Sequence, residues 1–225
     1  MESIRGKQAL FIDAAALAQR LAGYQHILID IGTGDGRFVR HVAGTRADTF
    51  ALGVDACREN LRRSSRQAPG NALFVIANAL ALPCELHGLA THLTINFPWG
   101  SLLQGLLGND TRLLAGLAAL AQPGARLDVR LNGGALSQAG WLLEAGAARV
   151  RQVLPDAGFT IQIATVMNAG DLRRLPTTWA RRLAFGRDPR AITLSGTRFV
   201  QERGTYIGKS VTELGDHFDR RGQRS

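Results

Sequence analysis

His26-Ile27-Leu28-Ile29-Asp30-Ile31-Gly32-Thr33-Gly34-Asp35-Gly36-Arg37 decides the fold. An aliphatic, largely β-branched run ends in an aspartate and a Gly-rich turn. The next residues, Arg37–Ala43, carry apolar side chains at Phe38, Val39 and Val42. That is the pattern of a buried strand turning into a helix. Working outward, the alternation repeats. Thr49–Val54 reads as a strand ending at Asp55, Cys57–Gln67 as a helix closed by Pro69-Gly70, and Ala72–Ala77 and His92–Phe97 as further strands. Leu102–Leu107 and Thr111–Leu120 read as helices, and Pro123-Gly124 punctuates before a strand at Arg126–Leu131. Leu142–Leu154 reads as a helix, with Phe159–Val166 and Ile192–Val200 as closing strands. Upstream, Ala14–Leu21 reads as a helix and Ile4–Ile12 as a strand or small hairpin. Strands alternating with helices predict a doubly wound α/β fold. The expected sheet is seven-stranded and mostly parallel, with helices on both faces and an antiparallel hairpin at one edge. No repeat or low-complexity linker divides the chain. One domain is expected over 1–203, with 1–25 as an N-terminal extension and 204–225 as a flexible tail.

A chain of 225 residues buries one substantial α/β core with elaborations. Two cysteines, Cys57 and Cys84, exclude a disulfide scaffold and a four-cysteine zinc site, and no metal site is expected. No apolar run approaches the ~20 residues of a membrane span. Met1–Lys7 lacks the apolar core of a signal peptide. A cytoplasmic protein with reduced thiols and no membrane partner is expected. The charge points to a partner: 27 Lys+Arg against 18 Asp+Glu leave a net +9, and all the cations except Lys7 and Lys209 are arginines. Arginine makes bidentate contacts to phosphate, so a polyanion such as nucleic acid is expected.

The Gly-rich turn is G-x-G-x-G, not the G-x-G-x-x-G of dinucleotide binders, and no Walker lysine follows. Gly32 and Gly34 permit close backbone approach to a ligand. Asp30 before the loop and Asp35 within it disfavour a pyrophosphate. They suit a cationic head such as the amino acid moiety of S-adenosylmethionine (SAM). Asp55, 23 positions after Gly32, ends the next strand, where a carboxylate accepts hydrogen bonds from both ribose hydroxyls. Ala77-Asn78-Ala79-Leu80 follows the third strand, where backbone amides can read an adenine edge. An ordinary strand-to-helix turn with a capping aspartate accounts for the loop alone. Loop, Asp30 and Asp55 together favour SAM.

Asn96-Phe97-Pro98-Trp99-Gly100-Ser101 follows the fourth strand and admits three readings. It is similar to the N-P-P-aromatic motif of amino-methyltransferases, in which the polar side chain and a main-chain carbonyl bind an exocyclic amine. Alternatively, Phe97 packs near the cofactor and Trp99 stacks on a flipped base. A tryptophan packed in the core is the third. Between Arg173 and Arg203 stand eight arginines against Asp188 and Glu202, with Trp179 interleaved. An aromatic among arginines suits base stacking flanked by phosphate contacts. Arg58, Arg62, Arg63 and Arg66 form a second patch, and positions 58, 62 and 66 share a helical face. A solvated basic face is the competing reading for both.

Asp30-Ile-Gly-Thr-Gly-Asp-Gly-Arg37, Asp55-x-x-Arg-Glu-Asn60, Phe97-Pro-Trp-Gly-Ser101 and Trp179-Ala-Arg-Arg-Leu-Ala-Phe-Gly-Arg187 together resemble the aminoglycoside-resistance 16S rRNA (adenine(1408)-N(1))-methyltransferases. The likeness spans roughly residues 26–120 and 171–200. It implies a class I SAM-dependent methyltransferase (Rossmann-like) fold with a short N-terminal hairpin. It implies SAM held at Asp30, Gly32 and Asp55, with Gly34 in the same loop and Ala79, Phe97, Ser101 and Thr177 near it. Trp99 and Trp179 would grip the flipped adenine. Arg182 and Arg187, with the Arg62, Arg63 and Arg66 patch, would dock on 16S rRNA in the 30S subunit, the protein acting as a monomer. Adenine N1 needs no deprotonation, and the five histidines form no pair with a carboxylate near the motifs. The chain departs from the family pattern at Leu80, at Leu131–Leu142 and at Asp188-Pro189, departures that bear on turnover and cofactor affinity. An exocyclic-amine methyltransferase and an rRNA-binding homologue without turnover are the alternative expectations.

Overall fold

The computed structural model describes residues 1–186 and 189–199. The chain opens with β1 (Glu2–Arg5), β2 (Gln8–Phe11) and α1 (Ala14–Leu21). It then alternates through β3 (His26–Ile31), α2 (Arg37–Thr45), β4 (Thr49–Asp55), α3 (Arg58–Arg66) and β5 (Ala72–Ile76). After β6 (Ala90–Asn96) come α4 (Gly100–Gly108), α5 (Thr111–Leu120) and the long β7 (Ala121–Asn132). Then follow α6 (Gly133–Gln138), α7 (Leu143–Val153), β8 (Phe159–Met167), α8 (Ala169–Arg174), α9 (Thr178–Ala184) and β9 (Ala191–Arg198). No helix among the described residues is long and apolar enough to cross a membrane.

Among the described residues the strands form one sheet, ordered β2-β1-β5-β4-β3-β6-β7-β9-β8. β5, β4, β3, β6 and β7 run parallel, and β9 and β8 close the far edge antiparallel. These are the seven strands read from the sequence. The sheet has nine, which corrects that count: the N-terminal hairpin joins the sheet, with Ser3 of β1 paired to Val75 of β5. An open edge presents unpaired amides and carbonyls, and the hairpin satisfies some of them. Ile4 is buried beside α3, the Gly6 amide donates to Ser65 Oγ at 3.0 Å, and Arg58 pairs with Glu2.

Strand alternation sorts the core into two faces. Ile27, Ile29 and Ile31 of β3 and Phe50, Leu52 and Val54 of β4 join the cluster that includes Leu103, Leu106, Leu113 and Val150 from α4, α5 and α7. Leu28, Ala51 and Phe74 belong instead to the cluster of Val39 and Val42 from α2 and Leu61 from α3. Burying each large aliphatic or Phe side chain contributes about 1.5–3 kcal/mol, which fixes the register of every strand. Asp30 alternates onto the second face. It lies opposite Thr94 of β6, which opposes Asp128 of β7, which opposes Ser195 of β9. A polar row thus crosses the sheet, and Asn96 and Arg130 pair one step nearer the carboxyl ends.

Two boundaries depart from the sequence reading. β7 begins at Ala121 and runs through Pro123-Gly124, with an irregular register against β6 between Ala90 and His92. The turn signal marks a distorted strand start rather than a loop. The short helices α6, α8 and α9 fall in segments where the sequence reading placed no element. They span fewer than two turns or barely reach them, too little for apolar periodicity to register. Their caps were the available signal: Asn132 on the Ala135 amide, Asn168 with Asp171 as a capping box, and Thr177 on the Ala180 amide. The tail 204–225 lies outside the described residues.

Candidate functional site

A cleft of about 470 Å³ opens beyond the carboxyl ends of the central parallel strands. Its walls include the Gly-rich turn, Asp55, Ala77–Ala79, Phe97–Trp99 and Thr177–Trp179. Sheets of this type bind ligands there, because the strand-to-helix turns diverge at that end.

The turn owes its shape to glycine. Gly36 has φ +69°, and a Cβ there would meet Phe74 Cε1 at 2.4 Å and Ser64 Cβ at 2.9 Å. The loop is braced by Asp55, whose Oδ2 accepts from the Gly34 amide at 2.8 Å while Oδ1 accepts from the Cys57 amide at 2.8 Å. A carboxylate oxygen has two lone pairs, so these bonds leave acceptor capacity facing the cleft. Both expected roles of Asp55, loop brace and acceptor for a ligand, are therefore compatible. Asp35 turns elsewhere. Its Oδ2 accepts from Thr178 Oγ1 at 2.5 Å and lies 3.3 Å from Arg37 Nε. The Thr178 bond ties the loop to α9 across 143 positions of sequence and carries Trp179 to the cleft.

Asp30 is buried. Its Oδ1 accepts from Thr94 Oγ1 at 2.7 Å and from Asn96 Nδ2 at 2.8 Å. Its Oδ2 has no protein partner. Burial pushes the Asp30 carboxyl pKa up, against the neighbouring Thr33 hydroxyl, the hydrogen bonds from Thr94 and Asn96 and the charge of Arg130. Thr33 Oγ1 and Trp99 Nε1 are likewise buried without a partner, and both residues line the same cleft. Buried polar groups are rarely left unpaired, so three at one cavity mark a place built for polar ligand atoms.

The Asn96 amide nitrogen serves Asp30, and its Oδ1 accepts from Arg130 NH1 at 2.7 Å. Both ends of the side chain are thus engaged within the protein, each keeping one further hydrogen-bonding position. Phe97 has φ +53°, strained for a residue with a Cβ, and its amide donates to the Arg130 carbonyl at 2.8 Å. Its ring packs with Met167, Leu172 and Ala180, anchoring the end of β6 beneath α8 and α9. Pro98 and Trp99 then project along the cleft wall. Trp99 and Trp179 stack on one another, centroids 5.2 Å apart and planes 26° off parallel, and Arg182 lies 5.3 Å from the centre of the Trp179 ring.

The remaining expected residues divide. Gly32, Ala79, Ser101 and Thr177 line the cleft, and the Thr177 hydroxyl also caps α9. Asn78 accepts from the Leu80 amide. Of the α3 arginines, Arg62 pairs with Glu59 at 3.1 Å and the Arg66 stem lies against Gly6 of the hairpin. The face at positions 58, 62 and 66 therefore partly holds the hairpin. Arg63, on another face, joins a second cleft with Arg37, Arg40, His41 and Arg181. Arg187 lies outside the described residues. Sequence reasoning missed Arg130 and Thr178, whose partners come from distant elements, and it missed the joining of Arg181 from the basic segment with Arg37, Arg40 and His41, which share a face of α2 at i, i+3 and i+4.

A family model described as "NpmA: 16S rRNA (adenine(1408)-N(1))-methyltransferase" matches residues 2–198. A 16S rRNA (adenine(1408)-N(1))-methyltransferase of Streptoalloteichus hindustanus is 31% identical over 204 residues, covering 84% of this chain and 94% of that protein. The crystal structure of the antibiotic-resistance methyltransferase Kmr is similar with a TM-score of 0.74 and 34% identity, covering 89% of this chain and 99% of that one. A variant of the 16S rRNA (adenine(1408)-N(1))-methyltransferase from Catenulisporales acidiphilia, solved with cosubstrate SAM, has the same fold. Its TM-score is 0.79 at 23% identity, covering 90% of this chain and 98% of that one.

Proposed function

The chain belongs to the 16S rRNA (adenine(1408)-N(1))-methyltransferase family, and we propose that it methylates N1 of adenine 1408 in the 30S subunit, with SAM as donor, and confers aminoglycoside resistance. One observation carries the reading. Asp30 Oδ2, Thr33 Oγ1 and Trp99 Nε1, buried without partners, line a single cleft that also holds two stacked tryptophans.

The cleft fits SAM. The unpartnered Asp30 oxygen suits an ammonium group, since a buried carboxylate is stable only when paired. Asp55 suits ribose hydroxyls, Gly32 and Gly34 admit a ligand close to the backbone, and Ala79, Phe97, Ser101 and Thr177 bound the space. When bound there, SAM supplies an electrophilic sulfonium methyl group. Neutral adenine carries an in-plane lone pair at N1, so the protein has no proton to remove. The His92–Asp128 pair, 2.9 Å apart, is not among the cleft-lining residues.

The protein contributes orientation, worth up to ~7–11 kcal/mol in favourable systems. Trp99 and Trp179 hold the extruded base. Their rings stand 5.2 Å apart, and a base between them requires two contact distances of about 3.5 Å, or about 7 Å. The pair therefore separates to admit the base, exchanging ring–ring stacking for two ring–base stacks. Arg182 remains over Trp179 to meet phosphate. Arg62, Arg63, Arg66 and Arg187 dock on the rRNA backbone, and Arg63 with Arg37, Arg40, His41 and Arg181 forms a cationic cleft on the scale of phosphate groups. The enzyme works as a monomer in the cytoplasm, where its substrate is.

The test uses 30S subunits lacking the modification, purified protein and radiolabelled SAM, then reverse transcription across the 3′ part of 16S rRNA. N1-methyladenine blocks Watson–Crick pairing, so the expected result is label incorporation with a new stop at adenine 1408. Incorporation without a stop overturns the N1 assignment. No incorporation overturns the enzymatic reading in favour of an inactive rRNA-binding homologue.

A further inference from the structure

Arg130 stands behind the site rather than in its wall. It lies on β7, its side chain is 13% exposed, and it is absent from the cleft lining. Its NH1 reaches Asn96 Oδ1 at 2.7 Å, and Asn96 Nδ2 reaches Asp30 Oδ1 at 2.8 Å. A carboxamide can bridge a cation and an anion in one orientation only, oxygen to the guanidinium and nitrogen to the carboxylate. Asp30 and the guanidinium hold the amide from its two ends. Without the guanidinium the Asn96 oxygen loses its anchor, the amide is held by Asp30 alone, and the rotation of the carboxylate is no longer fixed through it.

We propose that Arg130 is a positioning residue: acting through Asn96, it fixes the rotation of Asp30 so that Oδ2 is presented to the cationic amine of the methyl donor. The proposal rests on the reading of this cleft as the SAM site. It assigns to the family reaction a residue that touches neither cofactor nor base. It also explains why the strand carries an arginine in a largely buried position, where a cation is costly unless paired.

The surroundings define what else acts on this pair. Asp35 and Asp55 line the same cleft from the Gly-rich turn and β4, and Arg182 enters from α9. Arg126 and Asp128 flank Arg130 along β7, Asp128 Oδ2 lying 3.8 Å from Arg130 NH2. Asp128 is itself held by His92 of β6 at 2.9 Å and by the Ser195 hydroxyl of β9 at 2.5 Å. Asp128 thus has other partners, and Asp30 depends on Arg130 for its nearest positive charge. Burial raises the Asp30 pKa and the Arg130 charge opposes it, so loss of that charge moves the Asp30 titration further upward.

The experiment compares wild type, Arg130→Lys and Arg130→Gln. Lysine keeps the charge, and glutamine keeps a donor without it. SAM affinity is measured by calorimetry from pH 6 to 9, and the Asp30 carboxyl is titrated by carbon-13 NMR without SAM, assigned with Asp30→Asn. In Arg130→Gln the SAM Kd at pH 7 is expected to rise at least about tenfold and to fall again as rising pH ionises Asp30. The NMR midpoint is expected to move upward, and Arg130→Lys to restore both. A loss of affinity equal at every pH, or an unmoved Asp30 midpoint in Arg130→Gln, overturns the proposal. If wild type binds no SAM, the cofactor reading fails, while the NMR midpoint still reports whether Arg130 acts on Asp30.

Discussion

Replacing Trp179 by alanine tests the base-gripping role with the least disturbance elsewhere. The residue is 38% exposed on a helix whose cap, Thr177, and buried anchor, Ala180, are retained. Alanine is the strongest helix former, and the lost Arg182 contact is a partly exposed cation–π pair of about 0.5–1 kcal/mol. With the stack on Trp99, worth about 0.5–1.5 kcal/mol, stability should fall by about 1–2.5 kcal/mol. The stack between Trp99 and Trp179 is lost in the free protein, and one of two ring–base stacks is lost in the complex. A base–aromatic stack contributes about 1–3 kcal/mol, so kcat/KM for 30S methylation should drop by about 5- to 150-fold. Asp30, Gly32 and Asp55 sit on other elements, so SAM affinity should stay within about twofold. Radiolabelled methyl transfer and calorimetry with SAM measure the two quantities, and Trp179→Phe should recover most of the loss. A SAM Kd that rises as much as kcat/KM falls refutes the reasoning, as does unchanged transfer.

Asp30→Asn should abolish the SAM-induced rise in Tm while leaving the apoprotein as stable as wild type or more so. Its raised pKa means the native state holds the proton more tightly than the unfolded chain, so this carboxyl costs stability as pH climbs above the usual aspartate range near ~4. The Tm advantage of the variant should grow from pH 4 to 8, and an advantage that shrinks instead contradicts the sign. Gly36→Ala combines left-handed backbone strain of about 1–2 kcal/mol with overpacking against Phe74 of about 1–3 kcal/mol. Urea unfolding should show a loss of about 2–5 kcal/mol, and a loss below about 1 kcal/mol would mean the loop relaxes freely.

How far the site was legible depends on how far its residues lie apart. The Gly-rich turn, Asp30 and Asp55 could be read because each is local to one strand end, and glycine spacing records a backbone that must curl. The five parallel strands were legible because their apolar runs are buried on both faces. The N-terminal hairpin was foreseen as a hairpin, but its place in the sheet was not, since a single pairing of Ser3 with Val75 leaves no periodic trace. Asn96 was open to several readings in the sequence, and only the structure shows its side chain bridging Asp30 and Arg130.

The sequence by itself determined the strand alternation, the acidic glycine turn, the aromatic–basic segment around Trp179 and the basic patch of α3, because short-range sterics and hydrophobic period write themselves into neighbouring residues. Only the tertiary structure decided which groups meet. Thr178 binds Asp35 across most of the chain, Trp99 reaches Trp179, and Arg130 stands behind Asp30 through an amide. Those contacts are set by sheet order and by the packing of α9 beneath Phe97, and such distances in sequence carry no local pattern.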